Sequence, residues 1–363
     1  MHYDPWFGAH PLALDGAGLD CTLALLGDCG WLARLACRAF GGASRCVRGS
    51  SIDSVERAAA VQGATGWREP SNLCGFAARW GHLALLQGAR RDGCDWDPST
   101  CALAARGGHL TLLIWAHIEG CEWGTSTCSA AAKGGHLEVL KWARLHGCWW
   151  DRWTCRGAAA GGHLKVLEWA RTDDCPWSAA VCEVAASNGH LEVLQWARLN
   201  GCEWDGWTCT RAAESGHLEV LQWARGAGCP WDPSTCAGAA AGGHLEVLQW
   251  AREHGCPWNN RTCGNAAAAG RMEVLQWARQ HGCDWSVETC SRAAKNGHLE
   301  VLAWARLAGC PWDRWTCALA AQGGHLAVLQ WARANGCEWD AWTRTYATHH
   351  SEVLAWAHLN GCP

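Results

Sequence analysis

From residue 69 onward one arrangement of apolar and polar positions recurs along the chain. The stretch from Cys182 to Thr208, CEVAASNGHLEVLQWARLNGCEWDGWT, shows it clearly. Cys182, Ala185 and Ala186 fall at helical spacing in a short Ala-rich run, which predicts a first helix. Gly189 supplies a turn, because glycine enters left-handed backbone geometry at little cost. HLEVLQWARLN then predicts a second helix, with Leu191, Val193, Leu194 and Ala197 on its apolar face. Glu192 in its first turn and Arg198 near its last have the signs that the helix dipole favours. Gly201 is the expected stop. The Thr ahead of each unit, replaced by Val181 here, is the expected N-cap of the first helix. The unit therefore reads as helix–turn–helix–loop, and its apolar faces need neighbouring units for burial.

The same columns return at a step of 27 residues, as in His82, His109, His136, His163, His190, His217, His244, Arg271, His298 and His325. A Thr-Cys column runs from Cys74 to Cys317, a Gly-Cys column from Cys94 to Cys337, and a loop Trp column from Trp96 to Trp339. A second Trp column runs from Trp115 to Trp331, with Gly88 in the slot before it. A fixed period of this size marks a stacked array, whatever domain count the length implies.

These residues carry a family resemblance. TC..AA, GHLEVLQWAR and the following Gly-Cys resemble, in register, the ankyrin repeat consensus TPLHLAA..GHLEVVKLLLE.GADVN. Ankyrin units are about 33 residues long. The shortfall lies between Trp-Asp and the next Thr-Cys, where ankyrins carry a projecting β-hairpin finger. The chain thus resembles a short-loop variant, of the NGCPWDE.TC type abundant in giant DNA viruses, algae and protists. The resemblance implies an all-α, ankyrin-like α-solenoid of about 11 helix–turn–helix repeats without the finger, over residues 69–363. Trp196 and Ala197 stand where ankyrins have adjacent leucines, a volume-compensating exchange of the kind packed cores tolerate, so Trp196 is expected in the core.

Composition narrows the function classes. The 30 basic and 34 acidic residues leave a charge of -4, which gives no overall field for nucleic acid or anionic lipid. No apolar run approaches the roughly 18 residues of a membrane span. The N-terminal MHYDPWFGAHPLALDG lacks the basic patch and apolar block of a secretory signal, so an intracellular protein, cytoplasmic or nuclear, is expected. The 25 Cys are then expected to be reduced.

The Cys and His columns raise the question of zinc. Structural zinc favours close ligand pairs such as C-x2-4-C, whereas Cys202 and Cys209 are separated by six residues. Arg271 replaces the His while Cys263 and Cys283 remain, so loss of one supposed ligand does not free the others. Packing is the expected role of these thiols, and no metal or cofactor is expected. Catalysis is not expected either. An active site is singular, these thiols recur alike, and no GxSxG, phosphate-binding loop or HExxH is present.

Columns that repeat unchanged maintain a stack, so recognition is expected where columns vary. The ankyrin resemblance implies that the first-helix face and its loop line a concave binding surface. Carried over, this points to Phe76, Arg79, Leu103, Arg106, Lys133, Arg156, Glu183, Arg211, Glu214, Arg292 and Lys295. Four loops add a Trp before the Thr, namely Trp153, Trp207, Trp315 and Trp342. Each reads either as a hydrophobic staple on the fourth helical residue or as an interface anchor. The expected function is a non-catalytic, monomeric scaffold that binds a protein partner, with no small-molecule substrate, nucleic acid or membrane.

Residues 1–68 fall outside the period. LALLGDCGWLARLACRAF and SSIDSVERAAAVQG read as helices of an N-terminal cap. LARLACRAF also resembles part of an F-box, which would make the protein a ubiquitin-ligase substrate adaptor with the repeats as receptor. At the other end, from about residue 343, TRTYATHHSEVLAWAHLNGCP loses two residues and puts Arg344 for Cys, Thr348 for Ala and Ser351 for Leu. That is the polar drift of a terminal cap. Truncation of a longer array at Pro363 is the other reading.

Overall fold

The computed structural model describes residues 73–97 and 99–363. The N-terminal cap and F-box readings concern residues outside this range. Among the described residues there are 22 α-helices and no strand, arranged as consecutive helix pairs. Between the first pair and the last, each pair consists of an eight- to ten-residue first helix, a left-handed Gly turn and a nine-residue second helix. The described residues fall into two compact units, 73–122 and Trp123–Pro363.

The smaller unit holds Leu73–Arg79 with Leu83–Arg91 and Thr100–Gly107 with Leu110–Ile118. The larger begins with Thr125–Gly134 and ends with Ser351–Leu359. In the larger unit each first helix packs on the first helix of the next repeat. The interior is small-residue packing: Cys182, Ala185 and Ala186 from the first helix, and Val193, Leu194 and Ala197 from the second, are all buried. Trp196 is a correction to the sequence reading. It is half-buried, and its indole lies edge-on to Trp177 at 6.0 Å between ring centres. Valine, leucine and alanine fill the interior, so the large ring is left on its margin.

The helix start is also corrected. Thr208 lies inside the helix Gly206–Glu214, whose cap is Asp205, accepting a hydrogen bond from the Trp207 amide at 3.0 Å. Asp151, Asp232, Asp313 and Asp340 cap their helices in the same way, and Asn259 does so with its amide oxygen. The carboxylate three residues upstream takes the cap, and the Thr side chain is buried in the core.

The His column ties neighbouring repeats. His217 Nε2 lies 3.2 Å from the Ser187 carbonyl, and His190 and His298 reach back in the same way. Gly189, at φ +74°, makes room for this ring: a Cβ there would come within 2.7 Å of His217. Arg271 occupies the same slot over Gly243. The exchange of His for Arg is accommodated because either side chain lays a flat group against a glycine.

The terminal repeat is shortened. Its first helix, Ala341–Tyr346, passes into a 3-10 turn at Ala347–His349, which absorbs the two missing residues. His350 still reaches the Gln322 carbonyl at 3.0 Å.

Candidate interaction surface

Two systems of arginine and tryptophan decorate these repeats. The first recurs in nearly every one. Arg198 lies 4.2 Å over the Trp204 ring and donates a hydrogen bond to the Cys202 carbonyl. Trp204 in turn meets Trp223 of the following second helix edge-on at 5.7 Å. The same Arg–Trp–Trp order appears at Arg225, Trp231 and Trp250 and at Arg306, Trp312 and Trp331. Each arginine satisfies a backbone carbonyl after the helix end and covers an indole, so this ladder secures the loop to the helix.

The buried thiols belong to the same architecture. Cys128 and Cys148 sulfurs approach to 3.4 Å, and Cys148 donates onward to the Gly124 carbonyl. Hydrogen bonding to Cys202 and burial push the Cys182 thiol well above the ordinary range, which keeps it protonated and a poor nucleophile. Among the described residues no three His, Cys, Asp or Glu side chains gather as ligands for a metal. His190, His217 and His298 of the column are engaged with carbonyls of the preceding repeat, and thiols such as Cys202 and Cys229 donate to backbone carbonyls.

The second arginine–tryptophan system is confined to a few repeats, on the outer face of the first helices. Trp153 and Trp207 occupy the second helical position of Arg152–Gly161 and Gly206–Glu214, and each is about half exposed, 49% and 53%. The staple reading fails on position. A staple joins the residue before the cap to the fourth helical residue, and the residue before Asp205 is Trp204, which belongs to the ladder. Arg156 lies 5.0 Å over Trp153, and Arg211 lies 5.4 Å over Trp207.

Between these pairs the intervening repeat has Ala180 in the Trp slot. The small side chain leaves a groove of about 210 Å³ lined by Arg156, Ala180, Glu183, Val184, Ser187 and Arg211. Ala180, Glu183, Val184 and Ser187 form the floor, one face of the helix Ala180–Ser187 at i, i+3, i+4 and i+7. Away from the groove, Gly157 lets Arg152–Gly161 approach the preceding first helix Thr125–Gly134: a Cβ there would meet the Ser129 carbonyl at 2.6 Å. Arg211 pairs with Glu214 at 2.7 Å, and both side chains remain more than two-fifths exposed.

Three of the residues singled out from sequence line one groove, Arg156, Glu183 and Arg211, and three more, Trp153, Trp207 and Glu214, contact its two arginines. The others lie elsewhere. Lys133 is exposed in the last turn of Thr125–Gly134. Arg292 is braced by Glu288 at 2.9 Å and by Asn265 of the preceding repeat at 3.0 Å, while Lys295 stays exposed. Trp315 and Trp342 stack at 6.4 Å, with Tyr346 within 6.3 Å of both. In the smaller unit Arg106 is exposed and Leu103 and Arg79 are half-buried. Phe76 is 1% exposed, so its place on a binding face is withdrawn: the ring fills the core. Sequence reasoning missed Ala180, Val184, Ser187 and Tyr346. The signal for Ala180 was present, since it interrupts the column between Trp153 and Trp207.

The repeat geometry agrees with the sequence resemblance. The larger unit is an ankyrin-like array of helix pairs. No family model matches the chain, and no curated protein matches it. Among solved structures, the crystal structure of the human ASB11 ankyrin repeat domain matches with 16% identity and a TM-score of 0.36, over 43% of this chain and 84% of that one. Among the described residues no helix is long and apolar enough to cross a membrane.

Proposed function

We propose that this protein is a non-catalytic scaffold that binds a protein partner through the outer face of its first helices, centred on the groove between Trp153 and Trp207. One observation carries this reading. Two exposed Trp–Arg pairs flank a small-residue groove, on a framework that is otherwise repetitive. Trp and Arg dominate interface energetics, and half-exposed indoles under guanidinium groups are ready-made anchors. The thiols of the described residues are all buried, so none is presented to a substrate as a nucleophile.

Affinity purification with the full chain, followed by mass spectrometry, tests the reading. A protein captured by the native chain should be lost or strongly reduced with Trp207→Ala and with Arg211→Ala while circular dichroism stays unchanged. Equal capture by both variants would contradict the site assignment. Recovery of a Skp1-like protein through residues 1–68 would instead support the adaptor alternative.

A further inference from the structure

The larger unit separates its charges by element. Its nine first helices carry nine Lys or Arg against three Glu. The eight loops that follow its second helices, from 146–151 to 335–340, hold ten Asp or Glu and no Lys or Arg. The whole-chain charge of -4 hides this division. The second-helix arginines do not change it outwardly, since each is turned onto a loop indole and a loop carbonyl.

The groove sits on the basic side. Arg156 has an indole face but no acidic partner within ion-pair reach, and Glu183 on the floor has no basic one. The Arg211–Glu214 pair is exposed and exchanges readily with an incoming carboxylate. A ligand complementary to this pattern is anionic at two separated points and neutral or hydrogen-bond-donating between them, over Glu183. First helices of adjacent repeats pack at about 8–10 Å, which puts the two Trp–Arg pairs about 16–20 Å apart. Extended chain at about 3.3 Å per residue spans that distance in about five or six residues.

We propose that the groove binds an extended acidic segment of a partner protein, with carboxylates on Arg156 and Arg211 and the chain resting on Trp153 and Trp207. This rests on the first-helix face being the binding face. A peptide can place its carboxylates at the two arginines and keep charge away from Glu183. A nucleic acid backbone, charged at every phosphate, would meet Glu183 and the acidic loops as well.

The test uses the full chain and a fluorescein-labelled synthetic peptide with two Asp-Glu pairs separated by a short Gly-Ser spacer. Fluorescence anisotropy should show saturable binding that weakens as salt rises. Arg156→Ala combined with Arg211→Ala should weaken it at least tenfold, and Glu183→Gln should strengthen it, with circular dichroism confirming the fold of each variant. A matched Lys peptide should not bind. Single-stranded DNA of equal charge that binds as tightly as the acidic peptide would overturn the proposal in favour of a general polyanion surface. Unchanged binding in the double Arg variant would overturn the groove assignment. If the peptide fails to bind while a captured protein partner is still lost with Arg211→Ala, the acidic-segment proposal falls and the scaffold reading stands. If that partner is indifferent to Arg211→Ala, both fall.

Discussion

Trp204 and Trp207 stand three residues apart, and each lies against an arginine, yet they do different work. Trp204 is half-buried, with Arg198 at 4.2 Å and Trp223 at its edge. Its arginine also holds the Cys202 carbonyl, and the arrangement recurs down the array. Trp207 is 53% exposed, its arginine is shared with an exposed Glu214, and the two neighbouring repeats place Ala180 and Ser234 in its slot. The same pair of residue types is architecture where it closes a loop on a carbonyl. It becomes a candidate contact where it leaves its faces to solvent. Chemistry alone does not assign the role; the periodicity of the contact and what it satisfies do.

The sharpest way to perturb the repeated side is through its interior. Leu194→Ala, at a fully buried site, should cost about 2–5 kcal/mol in denaturant unfolding. In a repeat array the loss falls mainly on one repeat and its interfaces, so the transition should become multi-phase. Gly189→Ala should cost about 2 kcal/mol or more, since it combines a left-handed backbone with a methyl group 2.7 Å from the His217 ring. Adding His217→Ala should recover the steric part, leaving a backbone cost of about 1 kcal/mol. If the double variant is no more stable than the sum of the two single losses, the ring does not define that glycine. Trp196→Ala should cost about 2 kcal/mol, less than full burial would imply, because the ring packs edge-on at the margin.

Two smaller effects sharpen the contrast. Burial holds the His163 imidazole below its ordinary pKa, so the unfolded chain binds its proton more readily. Its contribution to stability is complete above the unfolded pKa and is lost as pH falls below it. Urea midpoints should therefore drop between pH 7.5 and 5.5, and His163→Gln should reduce that drop. Thr208→Val should be neutral or stabilising by up to about 1 kcal/mol. The Thr208 hydroxyl is buried without a hydrogen-bond partner, and Val181 already fills the equivalent slot.

The repeat itself was legible in the sequence because its determinants are local. Gly189 marks a left-handed turn, and Leu194 and Ala197 mark a helix face, whatever lies beyond them. The cap was misread because Thr208 and Asp205 are both good caps and only three-dimensional packing shows which side chain turns inward. Trp196 was overburied by analogy: a large ring in an apolar column need not be central when Val, Leu and Ala already fill the interior. The groove was half legible. Its walls were named from the irregular columns, but its floor depends on which helix face Ala180 and Glu183 present.

The most direct test pairs Trp204→Ala with Trp207→Ala, measuring thermal melting and capture of the same partner protein for each. Trp204→Ala should lower melting and reduce capture only in proportion to unfolding. Trp207→Ala should leave melting within about 0.5 kcal/mol of the native chain, as surface substitutions do, and remove most of the binding. Equal loss of stability from both variants, with binding tracking stability in each, would contradict the division between ladder and surface.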